Sequence, residues 1–434
     1  MSRLRDGKLP TVYICVEIKN RELDSQVLLA KSLANRGYRC ILGTHASIFS
    51  VLRAKRIKSG IFLDKGTLPA SRMSWIKTKC DSIVIMDQEL GPTLENPSEH
   101  LSDWPSRIYP GADEFIDKYL CVGPKVYDAA LQRFKSSNEK VVLTGWPRVD
   151  IWRDLGRQIY RKEIEYLQNR FGEFLLFVSD FGVNEDEDVY FEGLKTFSQH
   201  DESFQRALNA LREWDKNLEF SKIVVRPHIT EDVRLWRKVL GEVSRIEVNK
   251  DFNVTPWVLA SIGIIHTGST VAFEAKLSGK DVFYLEEAAP RQTHSFANLV
   301  SDCVISAGHK GRQPILDNSK TIMSSEIQKY VSISEVSSIN RVIDVLISLK
   351  PSFEQSPNVI SLAISQFRFS TFKRLLGLLR HEISWKLKIA KNPPYSHCFP
   401  GGISRKDFNK VISLSDQTVP VKVRAITLNC WEFS

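Results

Sequence analysis

The chain lacks the marks of an exported or membrane-spanning protein. None of its 434 residues fall in a run near the roughly 20 apolar residues that a spanning helix needs. Met1 to Pro10 is polar and has no apolar signal-peptide core. Cysteine is sparse. Cys15, Cys40, Cys80, Cys121, Cys303, Cys398 and Cys430 are odd in number, widely scattered and include no C-x-x-C pair. This argues against a disulfide framework or a zinc site and for a reducing, cytoplasmic setting. No segment joins basic and aromatic residues in a nucleic-acid motif, so nucleic acid is not expected as a partner.

What is present is ordinary for a soluble globular protein: 42% hydrophobic and 26% charged residues. The length suits two or three domains. A formal charge of +9 favours anionic partners such as phosphate-bearing substrates or an acidic membrane face.

Short apolar runs alternate with helical spacing from the start. Val12 to Val16, Arg39 to Leu42, Ile61 to Leu63, Ile83 to Met86, Tyr119 to Val122 and Val141 to Leu143 read as strands. Leu23 to Asn35 has a helix's periodicity, ended by Gly37. The pattern predicts a doubly wound α/β unit over residues 1–150, closed by the Pro- and Gly-containing stretch Thr144 to Asp150. A second unit of the same kind is expected over 151–320. A helical segment is expected over 321–395, and an irregular tail over 396–434.

The second unit holds the most informative stretch. Ile223-Val224-Val225 runs into Arg226-Pro227-His228, and Ile262 to Ile265 runs into His266-Thr267-Gly268-Ser269-Thr270. A helix follows with Glu274 in its first turns. Strand, polar turn and helix present backbone N–H groups and a positive dipole end, which suit a phosphate. Thr267, Ser269 and Thr270 add hydroxyls, and Gly268 permits close approach. Glu274 stands where a carboxylate reaches ribose hydroxyls. His228, expected on the neighbouring strand, can bind or charge-stabilise the same phosphate, with Arg226 adding charge. Plainer roles exist for each: Ser and Thr as helix caps, Glu274 as a dipole partner, Arg226 in a salt bridge.

Asp186 and Asp188 form an Asp-x-Asp that suits a helix's acidic first turn better than a metal. Residues 366–391 combine Phe and Leu with seven basic side chains and one acid, a composition that can lie on an anionic membrane or pack on the domain.

Five stretches together resemble the bacterial surface carbohydrate biosynthesis proteins, glycosyltransferases of the GT-B type. They are Val16 to Asp24, Met86-Asp87-Gln88-Glu89-Leu90-Gly91, Val142 to Asp150, Arg226-Pro227-His228, and His266 to Thr270 with Glu274-Ala275. The third is close to a T-G-N-P-R-x-D signature, with Trp146 in the Asn place. The resemblance implies a GT-B-like fold of two Rossmann-like domains facing a cleft, with a helical C-terminal extension. The N-terminal domain would bind a surface polysaccharide or lipid-linked glycan acceptor. The second would bind a nucleotide sugar, with no cofactor and no catalytic metal. It leaves CMP-, UDP- and GDP-linked donors equally open.

Sugar transfer needs leaving-group stabilisers, here His228, Ser269 and Thr270, and a base for the acceptor hydroxyl. Glu17 at the end of the first strand is the leading candidate for the base. Asp87 and Glu89 follow a later strand, and His45 and His294 are alternates. A sugar-nucleotide epimerase, a polyol-phosphate transferase or a catalytically silent scaffold on the same fold are the competing expectations.

Overall fold

The computed structural model describes residues 8–88, 108–134, 137–184, 201–216, 222–228, 231–241, 245–289, 299–306, 323–357, 401–414 and 420–434, with a few short pieces between them. Glu89, the Asp186/Asp188 pair, His294 and nearly all of 366–391 lie outside these residues.

The first sheet is built from β1 (Lys8–Val16), β2 (Arg39–Thr44), β3 (Ile61–Asp64), β4 (Ser82–Met86), β5 (Lys118–Cys121) and β6 (Val141–Leu143). They are parallel and lie in the order β2-β1-β3-β4-β5-β6. Every residue from Val12 to Val16 is buried, because helices cover both faces of such a sheet. The covering helices include α1 (Lys19–Ala34), α2 (His45–Ala54), α3 (Ala70–Lys77) and α4 (Pro124–Arg133). In α1, Leu23, Val27, Leu29, Ala30 and Leu33 form the buried face.

The chain leaves this sheet through a short helix, α5 (Pro147–Asp150), and α6 (Arg161–Phe171). The second sheet then begins with β7 (Phe174–Val178). Four two-residue strands follow, β8 (Val183–Asn184), β9 (Tyr190–Phe191), β10 (Leu194–Lys195) and β11 (Phe197–Ser198), which pair among themselves. The sheet resumes after α7 (Glu202–Lys216) with β12 (Lys222–Arg226). Then come α8 (Val233–Leu240), β13 (Ile246–Val248), α9 (Val254–Ala260), β14 (Gly263–His266), α10 (Val271–Leu277), β15 (Asp281–Leu285) and β16 (Cys303–Ile305). Its strands are all parallel, in the order β13-β12-β7-β14-β15-β16. On one face Phe177, Phe181, Phe204, Trp214 and Trp236 form an aromatic core; the Phe204 and Trp236 rings meet edge-on at 4.9 Å.

The opening part of the segment expected to be helical over 321–395 is divided. It is α11 (Met323–Tyr330), which packs on α4, and α12 (Ser338–Ser348), which packs on α1 and α5. The chain thus crosses back from the second sheet to the first. β17 (Phe353–Gln355) then pairs antiparallel with the start of β1.

The C-terminal stretch corrects the expectation of irregular backbone. α13 (Arg405–Ile412) packs on α1, and β18 (Val423–Thr427) and β19 (Cys430–Phe433) form a hairpin. β19 pairs antiparallel with β2 and covers that edge of the first sheet. Asn429 takes the positive φ of 55° that such a tight turn requires. Gly43 on β2 is needed there, since a Cβ would stand 2.6 Å from the Asn429 carbonyl oxygen. The six cysteines among the described residues are free, and all but Cys303 are buried. No helix among the described residues is long and apolar enough to cross a membrane.

Candidate functional site

The strand order of the second sheet reverses between β7 and β14. Connections on either side of such a point leave in opposite directions and open a crevice beyond the strands' carboxyl ends. Ser179 and Asp180 follow β7 there, and Thr267 to Thr270 follow β14. Pro227 and His228 follow β12. His228 is therefore not on the strand next to β14, because β7 lies between them.

The loops on the β7 and β12 side are organised by a residue the sequence reading missed. Glu231 is buried, and its carboxylate accepts from Ser179 Oγ (2.5 Å), Phe181 N (2.9 Å), Gly182 N (2.8 Å), His228 N (3.2 Å) and Trp236 Nε1 (2.8 Å). One carboxylate thus fixes both loops flanking His228. Beside it, the Asp180 side chain reaches solvent from a crevice crowded by protein. That crowding, and then the charge of Glu231, push its carboxyl up to about 7.

On the β14 side the polar turn is tied more tightly than a bare phosphate cradle. His266 is fully buried; its Nδ1 accepts from Gly268 N at 3.1 Å, so Nε2 carries the proton and donates to Ser301 Oγ at 2.8 Å. Burial pulls its pKa down to about 3. The Gly268 N–H expected to face a ligand is thus engaged by its own strand. Ser269 Oγ accepts from Val271 N at 3.3 Å, the ordinary work of a cap, while Thr270 is exposed. Two buried oxygens here have no hydrogen-bond partner among the described residues: Thr267 Oγ1 and Glu274 Oε1.

Glu274 is buried among cations. Its carboxylate lies 3.7 Å from the Arg148 guanidinium and accepts a bond from Thr255. Burial raises its pKa, opposed by Arg148, Thr255 and Arg226. Arg148 comes from Thr144-Gly145-Trp146-Pro147-Arg148-Val149-Asp150, which gives that stretch its physical sense. Gly145 takes φ +77°, where a Cβ would meet Arg341 and Ser338. Pro147 starts α5. Arg148 lies over the rings of Trp146 (4.8 Å) and Trp152 (4.9 Å), so Trp146 acts through its ring face. Asp150 accepts from Ser338 N (3.0 Å) and Ile339 N (2.8 Å) at the start of α12. One short motif therefore joins both sheets and the returning helix.

Arg226 is buried and works internally. It donates to the Asp251 (2.9 Å) and Phe252 (2.8 Å) carbonyls, and burial lowers its pKa to about 10. Those bonds hold Phe252 at a positive φ of 61°, an unfavourable state for an aromatic residue. The next residue, Asn253, donates to Asp24 Oδ2 and to the Tyr160 hydroxyl, both at 3.0 Å. A cavity of about 330 Å³ opens between the two units at this point. Its lining includes Lys19 and Asp24 of α1, Tyr160, Lys250, Phe252 and Lys410 of α13.

The first sheet reverses between β1 and β3, and its ionisable residues gather at those ends. Glu17 is partly exposed and pairs with Lys65, which also lies 3.2 Å from the buried Glu22. Glu22 accepts from Glu17 N at 2.8 Å, and burial pushes its carboxyl up to about 8. His45 bonds Asp64 at 2.8 Å. Asp87 stands apart: it is buried and accepts from the Tyr119 hydroxyl at 2.9 Å, which ties β4 to β5. Through Lys65 and Glu22, the charge of Glu17 connects to Arg148 and on to Glu274 of the second unit.

No family model matches the chain, and no curated protein matches it. Solved structures do resemble it. A UDP-GlcNAc 2-epimerase of Methanocaldococcus jannaschii in complex with UDP-GlcNAc and UDP is 11% identical, covering 78% of this chain and 99% of that one, with a TM-score of 0.48. The MnaA–UDP co-structure of S. aureus is 14% identical over 89% of this chain and 99% of that one, at 0.44. The wall teichoic acid polymerase TagF is 11% identical over 79% and 89%, at 0.44. The fold is GT-B-like. That statement stands on the two doubly wound parallel sheets, the helices returning to the first, and the cleft between them. Fold alone does not select a reaction.

Proposed function

We propose that the chain transfers a sugar from a nucleotide-activated donor to a surface polysaccharide or lipid-linked glycan acceptor. The observation that carries this reading is Glu274. It is a buried carboxylate with two guanidinium groups near it, yet Oε1 has no hydrogen-bond donor among the described residues. Leaving such an atom unbonded costs about 1–3 kcal/mol, which a donor hydroxyl from a ribose would recover. Thr267 Oγ1, in the turn that leads into the same helix, offers a second unused position among the described residues.

In this reading the nucleotide lies in the crevice beyond β7 and β14. His228, held through its backbone by Glu231, and the hydroxyls of Ser269 and Thr270 stabilise the leaving phosphate. Arg226 acts at one remove, by shaping the 251–253 loop. Glu17 takes the proton of the acceptor hydroxyl from the opposite side of the cleft. Lys65 pairs with its carboxylate and orients it. The basic segment 366–391 would hold the enzyme against an anionic membrane carrying the acceptor, a contact that liposome sedimentation at moderate salt would test.

The reaction is tested by supplying nucleotide sugars with a lipid-linked glycan acceptor and following released nucleotide and elongated glycan together. Glu17→Gln is expected to lower turnover by about 10²–10⁴-fold while nucleotide binding persists, the usual scale for losing a general base. Full turnover in that variant would remove Glu17 from the mechanism.

A further inference from the structure

The first sheet brings together a second set of donors that sugar transfer does not use. Cys15 lies in β1, beside Gly43 of β2, one residue beyond the Ile14–Leu63 pair with β3. Asp64 ends β3, and His45 follows β2 directly. Parallel pairing therefore places all three at one corner, just where the strand order reverses. Their ligand atoms, the Cys15 thiol sulfur, an imidazole nitrogen and a carboxylate oxygen, lie within 4.8 Å of one another. We propose that Cys15, His45 and Asp64 bind one zinc-class divalent cation.

The donor set fits such an ion. Thiolate, imidazole and carboxylate are the zinc ligands of open sites, at about 2.0–2.3 Å from the metal. Tetrahedral bonds of that length separate neighbouring ligands by about 3.3–3.8 Å. The side chains need only modest adjustment. The His45–Asp64 bond of 2.8 Å opens slightly and the sulfur draws in. The charges also balance, because a thiolate and a carboxylate offset a divalent cation. Two ligands are buried, and the His45 side chain keeps 24% of its surface, which gives an entry path and a fourth position for water. On binding, the Cys15 proton passes to solvent as the S–metal bond forms, and the proton between His45 Nε2 and Asp64 moves to Nδ1, so that a neutral imidazole and a carboxylate complete the N–metal and O–metal bonds. Asp64 is already oriented from behind, since its Oδ1 accepts from Lys65 N at 2.9 Å. Sequence spacing gave no hint of the site. Its ligands come from three separate strand ends, where a zinc module would show paired cysteines.

The inference is independent of the sugar-transfer reading and is tested on the whole chain with cobalt(II) as the probe. Stripped of metal and titrated with cobalt, the protein is expected to show a thiolate-to-cobalt charge-transfer band saturating at one equivalent, displaced by zinc. Cys15→Ser is expected to abolish the band. His45→Gln and Asp64→Asn are expected to weaken binding at least about 10-fold, the scale set by loss of even an outer partner. Cys303→Ser, in the second sheet, leaves the band unchanged. Circular dichroism of each apo variant separates a lost ligand from a lost fold. Absence of the band in the unmodified chain overturns the proposal without any variant, as does a band that survives Cys15→Ser.

Discussion

His266 ends its strand with no exposed surface and both ring nitrogens engaged. Its pKa in the fold is about 3, against an ordinary 6.5. Between those values the unfolded chain holds a proton that the folded chain refuses. This contribution to stability is therefore complete above pH 6.5 and is lost as pH falls toward 3, with a limiting slope of about 1.4 kcal/mol per pH unit. Urea unfolding of the wild type and His266→Gln across the acid range should show a shallower acid decline in the variant; parallel declines would contradict this. The residue also shows what single positions reveal in sequence. The Ser and Thr cluster after it could be read as a ligand turn, because strand-turn-helix chemistry is local. That its Gly268 N–H is spent on the preceding imidazole could not, since this depends on a ring rotamer and on Ser301, 35 residues away. Glu231 and Arg148 were illegible for the same reason: their partners come from distant loops.

Among the elements, α12 is the most exposed to one substitution. The Asp150 carboxylate caps it from 188 residues away and is itself buried. Asp150→Ala leaves two backbone N–H groups without an acceptor, so a loss of about 2–3 kcal/mol is expected in denaturant unfolding. Asp150→Asn, which retains an acceptor oxygen, should lose less. Equal stability of the alanine variant would show that Ser337 alone caps the helix. The central strands of both sheets were legible because they are short apolar runs buried on both faces, whereas β13 and β16, at the edges of the second sheet, are short and half-exposed and were not. The hairpin β18–β19 was not. Its outward positions are polar or exposed, and its apolar residues only make sense against the edge of β2. The helices α11 and α12 are separate because residues 331–337 run back over the first sheet, where Ser332 N bonds the Val122 carbonyl at 2.8 Å.

At the scale of the whole molecule, the last segment closes what the first strands leave open. β19 covers the edge of β2, and Phe433 and Cys430 are fully buried. Burial of Phe433 alone contributes about 2–3 kcal/mol. Removing residues 420–434 should expose that edge and cause aggregation in light scattering; an equally stable protein that does not aggregate would show the hairpin to be dispensable. The two sheets are then joined by Arg148 to Glu274 and by Asn253 and Tyr160 to Asp24. The proposed donor crevice lies on the second of them. Calorimetric titration with CMP, CDP, UDP and GDP tests it most directly. At least one nucleotide should bind the wild type, with affinity falling about 10-fold or more in both Glu274→Gln and His228→Ala. If no nucleotide binds, or if both variants bind as tightly as the wild type, the crevice beyond β7 and β14 is not the donor site.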